Sequence, residues 1–386
     1  MLVKSRKRWL QWLLGAILVV AVILFFSLST VEDSAPVPIK WKPHPDFFPM
    51  GTVLQGSTVE MSVRLTSDDM RPPPPPSWVN RLPRTIRPWA IALVDRFRAG
   101  RRKLRITVDT PEYLRVDVAE IDYHQFHGST PIVNLHLVTD RPGNYNGSLA
   151  IRLTGRHYMA NTNVIPIRVN VIAKPVRWAV LATTTPFQMY STDDGRMFQA
   201  LTDVTTRLAE RGVRVDFREH LPKSLDPWNV VLLGDMALLK VDARTIDRLQ
   251  RFVARGGRLI VSADAFMVGT APKANDLVNC YGLRIDNKDA GDSMEASRIV
   301  PDPLTTGVTG LSFFRPACVS VTDSRQAKLL GAMTDDEQCG FIAVSRASGR
   351  GEVVLLAQSL WWVWVQPHSG KGDNARMLEN LFEPPP

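Results

Sequence analysis

The sequence predicts a doubly wound α/β carboxyl-terminal half, an all-β sandwich before it and one N-terminal transmembrane helix. Three observations carry this expectation. An uncharged run lies close behind the first residues, short alternating segments follow it, and continuous apolar runs interleaved with amphipathic stretches fill the last two hundred residues.

The uncharged run "WLQWLLGAILVVAVILFFSL" covers residues 9–28. At about 1.5 Å per helical residue it matches the hydrocarbon core of a bilayer. The basic tail 1–8 carries Lys4, Arg6, Lys7 and Arg8, and Glu32 and Asp33 follow the run. By the positive-inside rule the N-terminus then faces the cytoplasm and the bulk of the chain lies outside, periplasmic in a bacterial inner membrane. A cleaved signal peptide is the competing reading, with Ser27 and Ser29 as small residues near a cleavage site, but signal cores usually span about 7–15 residues. Residues 29–47, rich in proline, read as an extended stalk.

Between 48 and 174 the segments "TVEMSVRLT", "KLRITVDT", "LRVDVAEI", "IVNLHLVT", "GSLAIRLTG" and "VIPIRVNVIA" alternate apolar and polar residues and are separated by turn formers. That is the pattern of an antiparallel sandwich. An insertion, 69–103, interrupts it. Pro72 to Pro76 cannot enter a central strand and predict a polyproline segment, and "PWAIALVDRFRAGRRK" predicts a short basic amphipathic helix. Arg98, Arg101, Arg102 and Lys103 then form a candidate contact for a membrane or a partner, against the plainer reading of an insertion packed on its own sandwich.

From 175 to 386 the apolar runs "RWAVLAT", "VRVDFRE", "NVVLLGD", "RLIVSAD", "GFIAVSR" and "GEVVLLAQS" read as strands of a parallel sheet. Helical stretches begin near Gly195, Asp242 and Asp373, and the two aspartates are expected to cap theirs.

Composition narrows the function classes. With 386 residues, 45% hydrophobic and 22% charged, the chain can bury more than one core. The formal charge of +9, from 47 Lys and Arg against 38 Asp and Glu, is not accompanied by a zinc finger or an RNP motif, so nucleic acid is not expected as a partner. His124 and His127 lack a third ligand and predict no metal. No Walker loop or dinucleotide fingerprint is present, so no cofactor is expected. Three cysteines are too few for a disulfide framework. They read as three buried thiols or as one bridge, for which Cys318 with Cys339 is the pair to test.

Two resemblances bear on the site. Gly51, Val53, Gly56 and Val59 with the "PGNYNG" turn resemble bacterial immunoglobulin-like domains of the envelope. "DPWNVVLLGD", "LQRFVARGGRLIVSAD" and "GRGEVVLLAQSLWW" followed by "DNARMLENL" resemble the class I glutamine amidotransferase-like superfamily, a flavodoxin-like fold, in its non-catalytic envelope branches. An active member would show Cys in the turn after the "RLIV" strand. Here that turn is Ser262, Ala263, Asp264, Ala265, and His368 lacks the His-x-Glu spacing. The resemblance therefore implies a non-enzymatic scaffold, an accessory of envelope transport or assembly machinery with a protein partner.

The candidate ligand or partner residues are Thr184, Thr185, Asp235, Ser262, Asp264 and Ser359, placed by the rule that open α/β sheets bind ligands at strand carboxyl ends. Trp361, Trp362 and Trp364 add an aromatic wall. The alternative is a hydrolase or carbohydrate-active enzyme in which Asp235 and Asp264 act as acid and base, with His220 as a further base for Ser262.

Overall fold

The computed structural model describes residues 41–44, 51–67, 79–92, 103–117, 120–124, 132–155, 158–183, 196–218, 220–234, 236, 239–265, 269–291, 293–333, 339–346, 351–358 and 373–384. The apolar run 9–28 lies outside them. Among the described residues no helix is long and apolar enough to cross a membrane.

Nine strands build the sandwich: β1 (Trp41–His44), β2 (Thr52–Leu54), β3 (Val59–Ser67), β4 (Lys103–Asp109), β5 (Leu114–Val116), β6 (Glu120–His124), β7 (Ile132–Leu137), β8 (Gly143–Gly155) and β9 (Tyr158–Ile172). One sheet runs β2-β9-β8-β4-β6, while β1, β3, β7 and β5 belong to the other. Period-two alternation decides which side chains turn inward. Leu149, Ile151 and Leu153 of β8 and Ile165, Ile167, Val169 and Val171 of β9 are all buried. Each such burial stabilises the fold by about 1.5–3 kcal/mol.

The remainder begins with β10 (Trp178–Thr183), α1 (Arg196–Glu210), β11 (Val213–Arg218), β12 (Val230–Leu233), α2 (Ala243–Ala254), β13 (Arg258–Ser262) and α3 (Thr270–Val278). It continues through β14 (Leu283–Asp289), β15 (Ser293–Ala296), β16 (Arg298–Ile299), β17 (Leu311–Phe314) and β18 (Ala317–Val321). It closes with β19 (Ala327–Ala332), β20 (Gly340–Ser345), β21 (Glu352–Leu356) and α4 (Asn374–Phe382).

This arrangement corrects the doubly wound expectation. Strands β11, β10, β12, β13 and β21 are parallel neighbours in that order, but they are one stretch of a 14-stranded mixed sheet. β20, expected to be parallel, pairs antiparallel with β21, and β18, β19 and β14 continue antiparallel beyond it. The physical reason lies in residues 283–332. Their short, half-alternating segments form antiparallel strands in place of the helices a doubly wound fold needs, and among the described residues no helix separates β11 from β12.

The two halves also share one sheet. Phe217 of β11 pairs in parallel with Val59 of β3, and its N–H donates to the Thr58 carbonyl at 2.8 Å. Thr58 N–H donates in turn to Asp216 Oδ1 at 2.9 Å, and Trp228 Nε1 donates to Asp216 Oδ2 at 2.7 Å. Arg214 adds an ion pair to the same carboxylate at 3.2 Å. Asp216 is buried, so these donors offset the cost of desolvating its charge. On the other sheet, Thr52 N–H donates to Thr206 Oγ1 of α1 at 3.0 Å. Buried residues from both halves form a single hydrophobic core.

Helix ends follow local chemistry with one exception. Asp242 caps α2 by accepting from Thr245 N–H at 2.9 Å, and Gly256 follows the helix at a positive φ of 108°. Asp373 does not cap α4. Its carboxylate accepts from Thr309 N–H at 2.6 Å and Thr309 Oγ1 at 2.8 Å, tying the helix start to the preceding loop.

Candidate functional site

The carboxyl ends of the parallel strands were the expected site. Ser262 closes β13, fully buried, and donates its hydroxyl to the Gln358 carbonyl beyond neighbouring β21. That bond occupies the proton a nucleophilic serine would surrender. Asp264 is 5% exposed, and its backbone is closed into a turn by Thr270, whose hydroxyl donates to the Asp264 carbonyl at 2.6 Å and accepts from its N–H at 3.3 Å. The turn leads into α3 through Gly269, at a φ of 83°.

His220 is exposed and follows β11, which is separated from β13 by β10 and β12. At about 4.8 Å per strand spacing the two strands stand roughly 14 Å apart. β12 and β13 are adjacent, with Leu233 opposite Val261. Asp235 itself lies outside the described residues, as do Thr184, Thr185, Ser359, Trp361, Trp362, Trp364, Arg98, Arg101, Arg102 and His127. Lys103 opens β4.

Cys318 and Cys339 are joined by a disulfide, with Cα atoms 4.8 Å apart, and Cys280 is free and exposed. Three buried thiols are therefore not what forms. The bridge braces β18 against β20 where their ladder is a single pair, Val319 with Gly340.

A cavity of about 560 Å³ lies at the opposite, amino ends of the parallel strands. It is lined chiefly by Trp178, Arg258, Asp302, Lys328, Arg346 and Glu352. Trp178, Arg258 and Glu352 are the first residues of β10, β13 and β21. Arg258 is 3% exposed, its Nε lying 2.5 Å from Glu352 Oε1. Its Nη1 donates to the carbonyls of Asn380 at 3.1 Å, Leu381 at 2.8 Å and Glu383 at 2.7 Å. A cation there meets the negative end of α4 and satisfies carbonyls the helix leaves unpaired.

The charges continue outward. Arg346 reaches Glu352 Oε2 at 3.1 Å and grips Asp302 with both terminal nitrogens, at 2.8 and 2.9 Å, while Lys328 Nζ lies 2.9 Å from the same carboxylate. Asp302 also accepts from Leu304 N–H at 3.0 Å, starting the 3₁₀ turn Pro303–Thr305. Burial works against its charge, but Arg346 and Lys328 together hold its carboxyl well below the usual carboxylate range. Arg346 is correspondingly raised by its bond to Asp302.

This arrangement can hold a polar or anionic group against half-exposed Lys328 and Arg346. Among the described lining residues there is no Ser, Thr, Cys or His to act as nucleophile or base. Sequence reasoning passed over this end because it follows the carboxyl-end rule. The available signal was Arg258, a lone charge opening the buried run "RLIVS".

No family profile matches the chain, and no curated protein does. Among solved structures it is similar to the mmIFT52 N-terminal domain, at 14% identity and a TM-score of 0.38 over 53% of this chain and 95% of that one. It is also similar to the ASH / PapD-like domain 7 of human CEP192, at 10% identity and a TM-score of 0.24 over 37% and 92% of the two chains. A third neighbour is the SrpA adhesin from Streptococcus sanguinis, at 10% identity and a TM-score of 0.22 over 47% and 79%. At these scores the likenesses carry no argument about activity. The sheet is mixed, with β20, β18, β19 and β14 antiparallel beyond β21, and is not the doubly wound fold of the amidotransferase-like superfamily, so that resemblance is withdrawn.

Proposed function

We propose that the chain is a membrane-tethered, extracytoplasmic binding and scaffold protein of a bacterial envelope, with a protein partner and no turnover of its own. The observation that carries this reading is the shared sheet, which fixes the sandwich to the carboxyl-terminal half through Phe217, Thr58 and Asp216. Such a joint suits a body that presents a surface in one orientation rather than one that closes around a substrate. The commitment of Ser262 to a backbone carbonyl supports it from the chemical side. The Cys318–Cys339 bridge fits an oxidising compartment outside the cytoplasm.

Crosslinking and pull-down of the full chain from native membranes tests the proposal. Wild type should capture a stoichiometric partner, and so should the double variant Asp235→Asn with Asp264→Asn. Changing Trp361, Trp362 and Trp364 to Ala should abolish capture while the protein stays folded. A hydrolytic turnover present in wild type and absent from the folded double Asn variant would overturn the scaffold reading.

A further inference from the structure

The insertion between β3 and β4 contains a small core of its own. Val79 and Ala90 are buried against each other with Leu82 and Ile91 around them, apart from the main core. The 3₁₀ turn Val79–Arg81 leads through a turn to helical residues 87–92, and Arg87 Nη2 ties the two by donating to the carbonyls of Asn80 at 2.6 Å and Leu82 at 3.3 Å. A module organised to this degree nevertheless leaves a tryptophan outside. Trp89 is 78% exposed and Ile86, one helical turn earlier, 54%.

From Met70 to Val94 the formal charge has one sign. Arg81 and Arg84 are exposed, and no acidic residue occurs between Met70 and Val94. An amphipathic aromatic flanked by arginines is the composition favoured at the headgroup level of a bilayer.

Strand register says which surface lies near. β1 runs antiparallel to β3 with Trp41 opposite Ser67, so the chain arriving from the apolar run enters the sheet at the end from which the insertion departs. Leu28, the last residue of that run, is thirteen residues before Trp41, which at about 3.5 Å per residue is at most roughly 45 Å. The twelve residues from Ser67 to Val79 have a comparable reach, roughly 40 Å.

We propose that Trp89 and Ile86, with Arg81 and Arg84, dock on the anionic phospholipid surface of the membrane in which the chain is tethered. The indole and the isoleucine enter the headgroup region while the arginines pair with lipid phosphates. Two contacts, tether and module, then fix how the sandwich stands on the bilayer. This inference rests on the reading that residues 9–28 span that membrane.

The test uses the full chain in vesicles of phosphatidylcholine with or without phosphatidylglycerol, in a Cys280→Ser background because Cys280 is free and exposed. An environment-sensitive label at Trp89→Cys should be quenched several-fold by headgroup-region brominated lipid in the anionic vesicles. The same label at Val164→Cys, an exposed site elsewhere on the sandwich, should not be. Arg81→Glu with Arg84→Glu should bring position 89 down to the control. Protein that resists carbonate extraction but leaves position 89 unquenched overturns the inference alone, as does a crosslink from 89 to a protein without quenching. Protein released by carbonate overturns the tether reading and the inference with it.

Discussion

The two ends of the parallel strands use polar side chains in opposite ways. At the carboxyl ends, Ser262 and Thr270 each spend their hydroxyl on one backbone carbonyl. At the amino ends, five charged side chains, Arg258, Glu352, Arg346, Asp302 and Lys328, form a chain of pairs around a cavity and hold the last helix. The difference teaches that strand polarity alone does not locate the electrostatic centre of a mixed sheet. Once antiparallel strands flank the parallel ones, the loops at both ends can converge, and residues 302, 328 and 346 come from that antiparallel part.

The largest test of this contrast is Arg258→Ala. It leaves Glu352 without its buried partner and three carbonyls of the α4 end without a donor, and should cost about 3–5 kcal/mol in denaturant unfolding. Amide exchange should rise first in residues 374–382. A cost below about 1 kcal/mol would show that the network is ornamental.

Asp302→Asn gives a pH signature. Because its folded-state carboxyl is held below the ordinary value, the charge contributes stability above the unfolded value of about 4, and that contribution is lost as pH falls toward the folded value. The stability gap between wild type and the Asn variant should therefore be full at neutral pH and narrow below about pH 4. A gap that stays constant through acid unfolding curves would remove Asp302 from the network.

Ser262→Ala should have the smallest effect, about 1–2 kcal/mol, because one hydrogen bond to Gln358 is lost in a site that stays closed. A loss as large as that of Arg258→Ala, measured in the same denaturant series, would erase the distinction between the ends.

Much of the local structure was legible in the sequence. Period-two alternation located β3, β4, β7, β8 and β9, and the continuous runs located β10 to β13 and β21. What did not follow was pairing. The run "GFIAVSR" has the same buried character whether its neighbour is parallel or antiparallel, since β20 is covered on both faces either way. Asp216 was visible as an acid in an apolar strand, but its meaning depends on Thr58 and Trp228, distant in sequence or placed only by the fold. The amino-end network was hidden for the same reason: Asp302, Lys328 and Arg346 stand in ordinary-looking turns and strand ends, and only the antiparallel ladder brings them to Arg258 and Glu352.

The pairing of Val59 with Phe217 has a practical side. Lys174-Pro175 looks like a place to divide the gene into two expressible pieces, since β9 ends at Ile172 and β10 begins at Trp178. Separated there, each fragment would carry a raw β edge, β3 in one and β11 in the other, ready to recruit any strand it met. In the native chain each edge meets the other at Val59 and Phe217, so the molecule is best produced whole.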